Sequence, residues 1–177
     1  MQSRREQGRK AFGQFLSDHD ICIVAVDVSQ TLFVRQLRAF SVEEAEKVSK
    51  WVAPDAIELC KDLAERKILL AIVTQSKSQP EALAAVLKSF GITPWHIVAS
   101  PERSRVAHLR DLEDKFTAET RQYLRRDQIL LVDDDNQWNC PLATALGFRA
   151  FHVSEERGIH WATLKECPAL KCDATKA

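Results

Sequence analysis

The sequence predicts a three-layer α/β/α sandwich around a central parallel sheet, on three observations. Short apolar runs bounded by polar residues recur along the chain, amphipathic helical patterns alternate with them, and each strong run ends in acidic or small polar residues. Residues 21–26 form the first run, continuous enough for a strand buried on both faces. Residues 69–73 and 129–132 repeat it, and weaker strand patterns cover 96–99 and 148–153. Ser41 and Glu44 make a capping box ahead of Ala45, Val48 and Val52. Pro54 suits a first helical turn, after which Ala56, Leu59, Cys60 and Leu63 share a face. Ser78 and Glu81 read as a second capping box before Leu83, Val86, Leu87 and Phe90, closed by Gly91. Val106, Leu109, Leu112 and Phe116 mark a fourth helix. Leu142, Ala145 and Leu146 mark a fifth, closed by Gly147. Strands alternating with helices imply parallel pairing and right-handed crossovers.

The 177 residues suffice for one well-buried core and are short for two. No repeat or Pro/Gly-rich linker interrupts them. We expect an N-terminal helical extension over 1–20, the α/β domain over 21–166 and a tail over 167–177. The formal net charge is zero, which removes the electrostatic reason to expect nucleic acid or an anionic membrane as partner. The basic cluster Arg4, Arg5, Arg9 and Lys10 reads as a solvated helix face. Without a signal-peptide core or a bilayer-length apolar run, the expected location is the cytoplasm. Five cysteines fit that compartment: Cys22 and Cys60 fall in core patterns, and Cys140, Cys167 and Cys172 lack the paired spacing of a zinc site or a disulfide framework.

The chemistry gathers at the strand ends. The first strand runs into Asp27-Val28-Ser29-Gln30-Thr31-Leu32, the second into Thr74-Gln75-Ser76, and a later one into Asp133-Asp134-Asp135-Asn136. Adjacent parallel strands bring these to one edge, where doubly wound sheets bind ligands. One aspartate after a strand is usually a helix cap; three in succession exceed that need. Like charges packed closely require something positive among them, and clustered hard oxygens suit Mg²⁺.

Four apolar residues followed by Asp-x-x-x-Thr-Leu at Asp27–Leu32 resemble the first motif of the haloacid dehalogenase (HAD) superfamily, usually Asp-x-Asp-x-Thr. Val73-Thr74 is similar to the second motif and Leu131-Val132-Asp133-Asp134-Asp135 to the acidic fourth. The stretch from Ser104 to Val153 is most similar to the capless magnesium-dependent phosphatases, and the likeness covers roughly Ile21 to Leu164. The resemblance implies a HAD-like Rossmannoid domain in which Asp27 attacks phosphorus and forms an aspartyl-phosphate. It implies Mg²⁺ held by Asp27, the main-chain carbonyl of Ser29 and one acidic-triplet residue, Asp134 or, counting back from Gly147, Asp135. Thr74, Gln75 and Arg105 would hold the phosphoryl oxygens.

Two departures matter. Ser29 stands where the family keeps a general acid/base aspartate, and a serine hydroxyl does not exchange protons near neutral pH. Ser104-Arg105 stands where the similar phosphatases have Ser-Lys, with Lys115 as the other candidate cation. The function implied is therefore a slow Mg²⁺-dependent phosphatase; the alternative is a catalytically inactive relative that binds phosphate or a protein. The sequence between the motifs leaves no room for a large cap domain, and an open cleft favours a phosphoprotein or another macromolecule as substrate. Of the remaining candidates, His108 reads as a surface histidine near Arg105, with partial replacement of the missing aspartate as the alternative, and Trp138 as a residue packed at the start of the next helix, with a wall of the cleft as the alternative.

Overall fold

The computed structural model describes residues 3–154 and 156–168. Five parallel strands, β1 (Ile23–Asp27), β2 (Leu69–Thr74), β3 (His96–Ala99), β4 (Ile129–Asp133) and β5 (Arg149–His152), are joined by a short antiparallel β6 (Lys165–Glu166). The sheet order is β3-β2-β1-β4-β5-β6. Side chains alternate across a strand, so each strand feeds two cores. Val24, Val26, Ile72 and Val132 face one, under α1 (Arg4–Asp18), α3 (Pro54–Glu65) and α4 (Pro80–Lys88). Ile23, Ala25, Ala71, Val73 and Leu131 face the other, under α5 (Arg105–Thr120) and α6 (Asn139–Ala145). The chain moves outward from β1 in one direction through α3 and α4. It returns in the other through α5 and α6 on the opposite face, as right-handed crossovers require. The direction reverses between β1 and β4.

α1 is tied firmly to the domain. A capping box between Ser3 and Glu6 opens it, and Phe12 and Phe15 meet Phe151 edge-on, with ring centroids 5.2 and 4.8 Å apart. Gly8 permits the close approach of the C-terminal segment: a Cβ there would lie 1.9 Å from the Trp161 carbonyl oxygen. The basic cluster is exposed as expected, and two of its members have partners on α3. Arg5 reaches Asp55 and Glu58, and Arg9 reaches Glu58 and Asp62.

Three helices differ from expectation in detail. The capping box at Ser41 and Glu44 forms, but it opens a 3₁₀ turn (Val42–Glu44) that leads into the short α2 (Ala45–Ser49). Val52 lies beyond α2 and bridges Phe33 instead. Ser78 does not cap α4, because Pro80 sets the helix start one residue later, with Gln79 at the cap position. The Ser78 hydroxyl is buried, accepts from the Phe40 amide at 3.3 Å and lies 2.9 Å from the Ser76 hydroxyl. On α6 the buried residues are Cys140 and Ala143, whereas Leu142 is exposed. Among the described residues no helix is long and apolar enough to cross a membrane. Cys172 lies outside the described residues.

Candidate active site

The parallel register sets the site. Val26 is level with Val132, so Asp27 and Asp133 stand side by side at the ends of β1 and β4. Asp27 is level with Val73, which places Thr74 one residue further along β2. β1 and β4 are buried through their length and β2 from Leu70 onward, so each strand's last side chain is delivered to the edge with little freedom.

Beyond Asp27 the chain makes one wide turn, Val28–Leu32, in which Gln30 takes a left-handed conformation (φ 58°). Such a conformation is uncommon outside glycine and costs about 1 kcal/mol or more. The Gln30 amide donates to the Arg35 carbonyl at 3.2 Å, and the Ile159 amide donates to the Thr31 carbonyl at 2.8 Å. Both bonds hold the turn against its neighbours. Gly158 (φ 63°) lies under it, where a Cβ would come within 2.7 Å of the Thr31 carbonyl oxygen.

Arg105 is the hub. It is the first residue of α5, whose cap Ser104 accepts from the Ala107 amide at 3.2 Å, and only 5% of it is exposed. Its Nη2 donates to Asp27 Oδ1 at 2.5 Å and its Nε to Asp133 Oδ2 at 2.9 Å. One guanidinium thus joins the carboxylates of two adjacent strands, a fork that lysine's single ammonium would not reproduce. Lys115 is elsewhere: it pairs with Glu119, one turn further along α5.

Asp27, Asp133 and Asp134 each offer a carboxylate oxygen, all within 4.8 Å of one another. Their existing partners separate them. Asp133 accepts from Arg105, from the Asp135 amide at 2.9 Å and from Asn139 Nδ2 at 3.3 Å to each oxygen. Asp134 Oδ1 accepts from Thr31 Oγ1 at 3.3 Å. Asp135 turns its carboxylate into the loop, accepting the amides of Gln137 and Trp138 at 2.9 Å each. The cluster therefore contains Asp27 and Asp134 together with Asp133, and Asp135 instead shapes the turn that leads into α6.

Burial pushes the Asp27 carboxyl well above the usual carboxylate range. Arg105 pulls it back, and the charges of Asp133 and Asp134 push it up again. Asp27, Asp133 and Asp134 gather three carboxylates around Arg105, and one oxygen of each could together hold a metal ion.

The other predicted residues line the same cleft, of ≈ 420 Å³. Thr74 is buried, and its Oγ1 accepts from the Ser76 amide at 3.0 Å. Gln75 is exposed and donates to the Arg103 carbonyl at 2.8 Å. Ser29 Oγ accepts from the Leu37 amide at 3.4 Å, which ties the turn after β1 to the loop that follows it. A second hollow of ≈ 440 Å³, lined by Cys60, Ile68, Ile92 and Trp95 among others, lies near the start of β2 and gathers no catalytic groups.

His108 is buried, not on the surface: its Nδ1 lies 3.5 Å from Arg105 Nη1 and its Nε2 has no hydrogen-bond partner among the described residues. Burial and the adjacent guanidinium push its pKa down. Trp138 is 75% exposed beside the acidic loop, because Asp135 takes its amide and swings the side chain outward. Thr31 belongs to the strand-end motif but has no role assigned there; Asn139 and His108 are site residues that the strand-end reading passes over. The last had a signal, standing three residues after Arg105 and four before Leu112 on one helix.

No family model matches the chain, and no curated protein matches it. Among solved structures, it is similar to a protein described as a HAD superfamily (subfamily III A) hydrolase from Legionella pneumophila, at 17% identity and TM-score 0.42, over 72% of this chain and 64% of that one. A protein described as a YrbI family phosphatase from Pseudomonas syringae aligns at 18% identity and TM-score 0.43, over 78% of this chain and 67% of that one. One described as a 3-deoxy-D-manno-octulosonate 8-phosphate phosphatase from Vibrio cholerae aligns at 16% identity and TM-score 0.43, over 82% and 80%. The chain spans less than two thirds of the Legionella protein's length.

Proposed function

We propose that this domain is a Mg²⁺-dependent phosphohydrolase in which Asp27 is the nucleophile and Ser29 leaves the proton-transfer step weak. The observation that carries the reading is the Arg105 bridge. A buried guanidinium holds Asp27 by one oxygen and Asp133 by another, at the mouth of a polar cleft. Asp27 and Asp134 would hold the metal, which when bound offsets the charge of nucleophile and phosphate. Asp133, saturated by Arg105, Asn139 and the Asp135 amide, fixes Arg105 and the acidic loop.

In the first step the Asp27 carboxylate attacks phosphorus, and the leaving oxygen departs with the electrons of its bond to phosphorus. Arg105 and Thr74 stabilise charge on the equatorial oxygens. Water protonates the leaving group, since a serine hydroxyl does not. In the second step water attacks the aspartyl-phosphate, releasing inorganic phosphate and restoring Asp27. Both proton transfers lack a tuned side chain, a deficit of roughly 10²–10⁴-fold. The cleft is open, which fits a bulky phosphorylated substrate such as a phosphoprotein.

The second reading, a phosphate- or protein-binding relative without turnover, is favoured by Ser29 alone, whose hydroxyl is engaged with the Leu37 amide. Mg²⁺-dependent hydrolysis of an aryl phosphate separates the two. Slow turnover in the wild type, raised about 10²-fold in Ser29→Asp, is the expected result. Absence of turnover in both proteins, with Mg²⁺ binding retained, establishes the binding module instead.

A further inference from the structure

We propose that Cys140 and Cys167 form a peroxide-inducible disulfide joining α6 to the segment after β6. The inference is independent of the phosphohydrolase reading. The two cysteines contact neighbouring residues of β5, Cys140 at Phe151 and Cys167 at Ala150. The Cys140 thiol donates weakly to the Phe151 carbonyl and to the Asp133 carbonyl, at 3.8 Å each. The Cys167 amide donates to the Ala150 carbonyl at 2.8 Å, continuing the antiparallel pairing of Phe151 with Glu166. The Cys167 side chain packs against the apolar cluster that contains Cys140, and its pairing with Ala150 puts it on the sheet face that α6 covers. Two cysteines 27 positions apart are therefore already neighbours in the reduced protein.

The two thiols differ in access. Cys140 is fully buried, whereas Cys167 is half-buried and lines a surface hollow of ≈ 180 Å³ with Thr144, Phe148 and Arg149. A hydroperoxide thus meets Cys167 first, and Cys140 stands behind it as the resolving thiol. The neighbouring Cys140 favours the thiolate of Cys167, while burial pushes the Cys22 thiol up and that of Cys60 up to about 12.

The chemistry balances with hydrogen peroxide as the oxidant. The Cys167 thiolate attacks one peroxide oxygen, the O–O bond breaks, and the departing hydroxide takes the thiol's proton as water, leaving a sulfenic acid. Cys140 sulfur then attacks Cys167 sulfur, the S–O bond breaks, and the hydroxide leaves with the Cys140 proton as a second water. Two thiols are oxidised and one peroxide is reduced. The new bond lies next to Asn139, which holds Asp133, and the Cys140 amide itself donates to the Asp135 carbonyl at 3.1 Å. Oxidation therefore anchors the turn that carries the acidic loop.

The test treats the full chain with hydrogen peroxide, blocks free thiols with N-ethylmaleimide and maps tryptic peptides without reduction. The expected product links peptide 127–149 to peptide 166–171, appears with loss of both free thiols, and reverts with dithiothreitol. Cys167→Ser should leave Cys140 reduced under the same treatment, because its buried thiol has lost the accessible partner. Linkage of Cys167 to Cys172 in the wild type, or accumulation of Cys167 sulfinic acid with Cys140 still reduced, overturns the proposal.

Discussion

Two buried aspartates, Asp27 and Asp55, are equally hidden from solvent at 4% exposure, yet their surroundings give them opposite uses. Asp55 sits in the first turn of α3, where the helix dipole favours a negative charge. It accepts from Arg5 Nε and from the Trp161 amide, both at 2.9 Å, so three distant parts of the chain close on one carboxylate. Asp27 has one cation, shared with Asp133, and two carboxylates for neighbours. The first carboxylate is satisfied and holds the fold together; the second shares its cation with another carboxylate at an open cleft. Burial alone does not distinguish a structural from a reactive carboxylate. The balance of partners does.

The sharpest break in the comparison is Asp27→Asn. It should abolish aryl-phosphate turnover, a loss of about 10⁴-fold or more, measured against wild type at saturating Mg²⁺. Its stability should move the other way. A carboxyl whose folded pKa is raised stabilises the protein below its unfolded pKa, and that contribution disappears as pH rises through the folded value. At neutral pH and without metal, the neutral asparagine should therefore melt at or above wild type. Asp55→Ala should reverse both results. It leaves the buried Trp161 amide unpaired and Arg5 without its best partner, a cost of about 3 kcal/mol, seen as a drop of roughly 10 °C in melting temperature. Its turnover should stay within about twofold of wild type, since removing this clamp touches no group that meets substrate.

How far the sequence shows this division varies by element. The strands were legible because a continuous apolar run bounded by polar residues fits a sheet covered on both faces, and 129–132 became β4 with Asp133 at its end. The meeting of Asp27, Thr74 and the acidic triplet at one edge followed from strand adjacency, whereas Arg105 came only from the family resemblance. Choosing among three aspartates did not. Asp135 leaves the cluster through a local turn that captures two amides, and Asp133 is saturated by Asn139 and Arg105; residue counting sees neither. Trp138 was misplaced for the same reason, since that turn decides where its side chain points. The clamp at Asp55 depends on α1 and Trp161 meeting over α3, contacts separated by more than a hundred residues in the chain. The burial of His108 was within reach of helical spacing but was outweighed by the usual exposure of a lone histidine.

His108 supplies the smallest and most specific refinement. Its folded pKa is lowered, so the unfolded chain takes up a proton first as pH falls. Its contribution to stability is complete above an unfolded pKa of about 6.5 and declines as pH falls from there toward the folded value. Thermal melts from pH 7.5 to 5 should show wild type losing roughly 2–3 °C more than His108→Gln over that range. Equal slopes would mean that the histidine beside Arg105 is protonated without penalty.

The most direct test of the central claim is thermal stabilisation by Mg²⁺ with beryllofluoride, which mimics a phosphoryl group on a carboxylate. The account predicts a rise in melting temperature for wild type and for Asp135→Asn, and its loss in Asp27→Asn and in Asp134→Asn. Full stabilisation of Asp27→Asn would contradict the assignment of Asp27 as the phosphoryl acceptor.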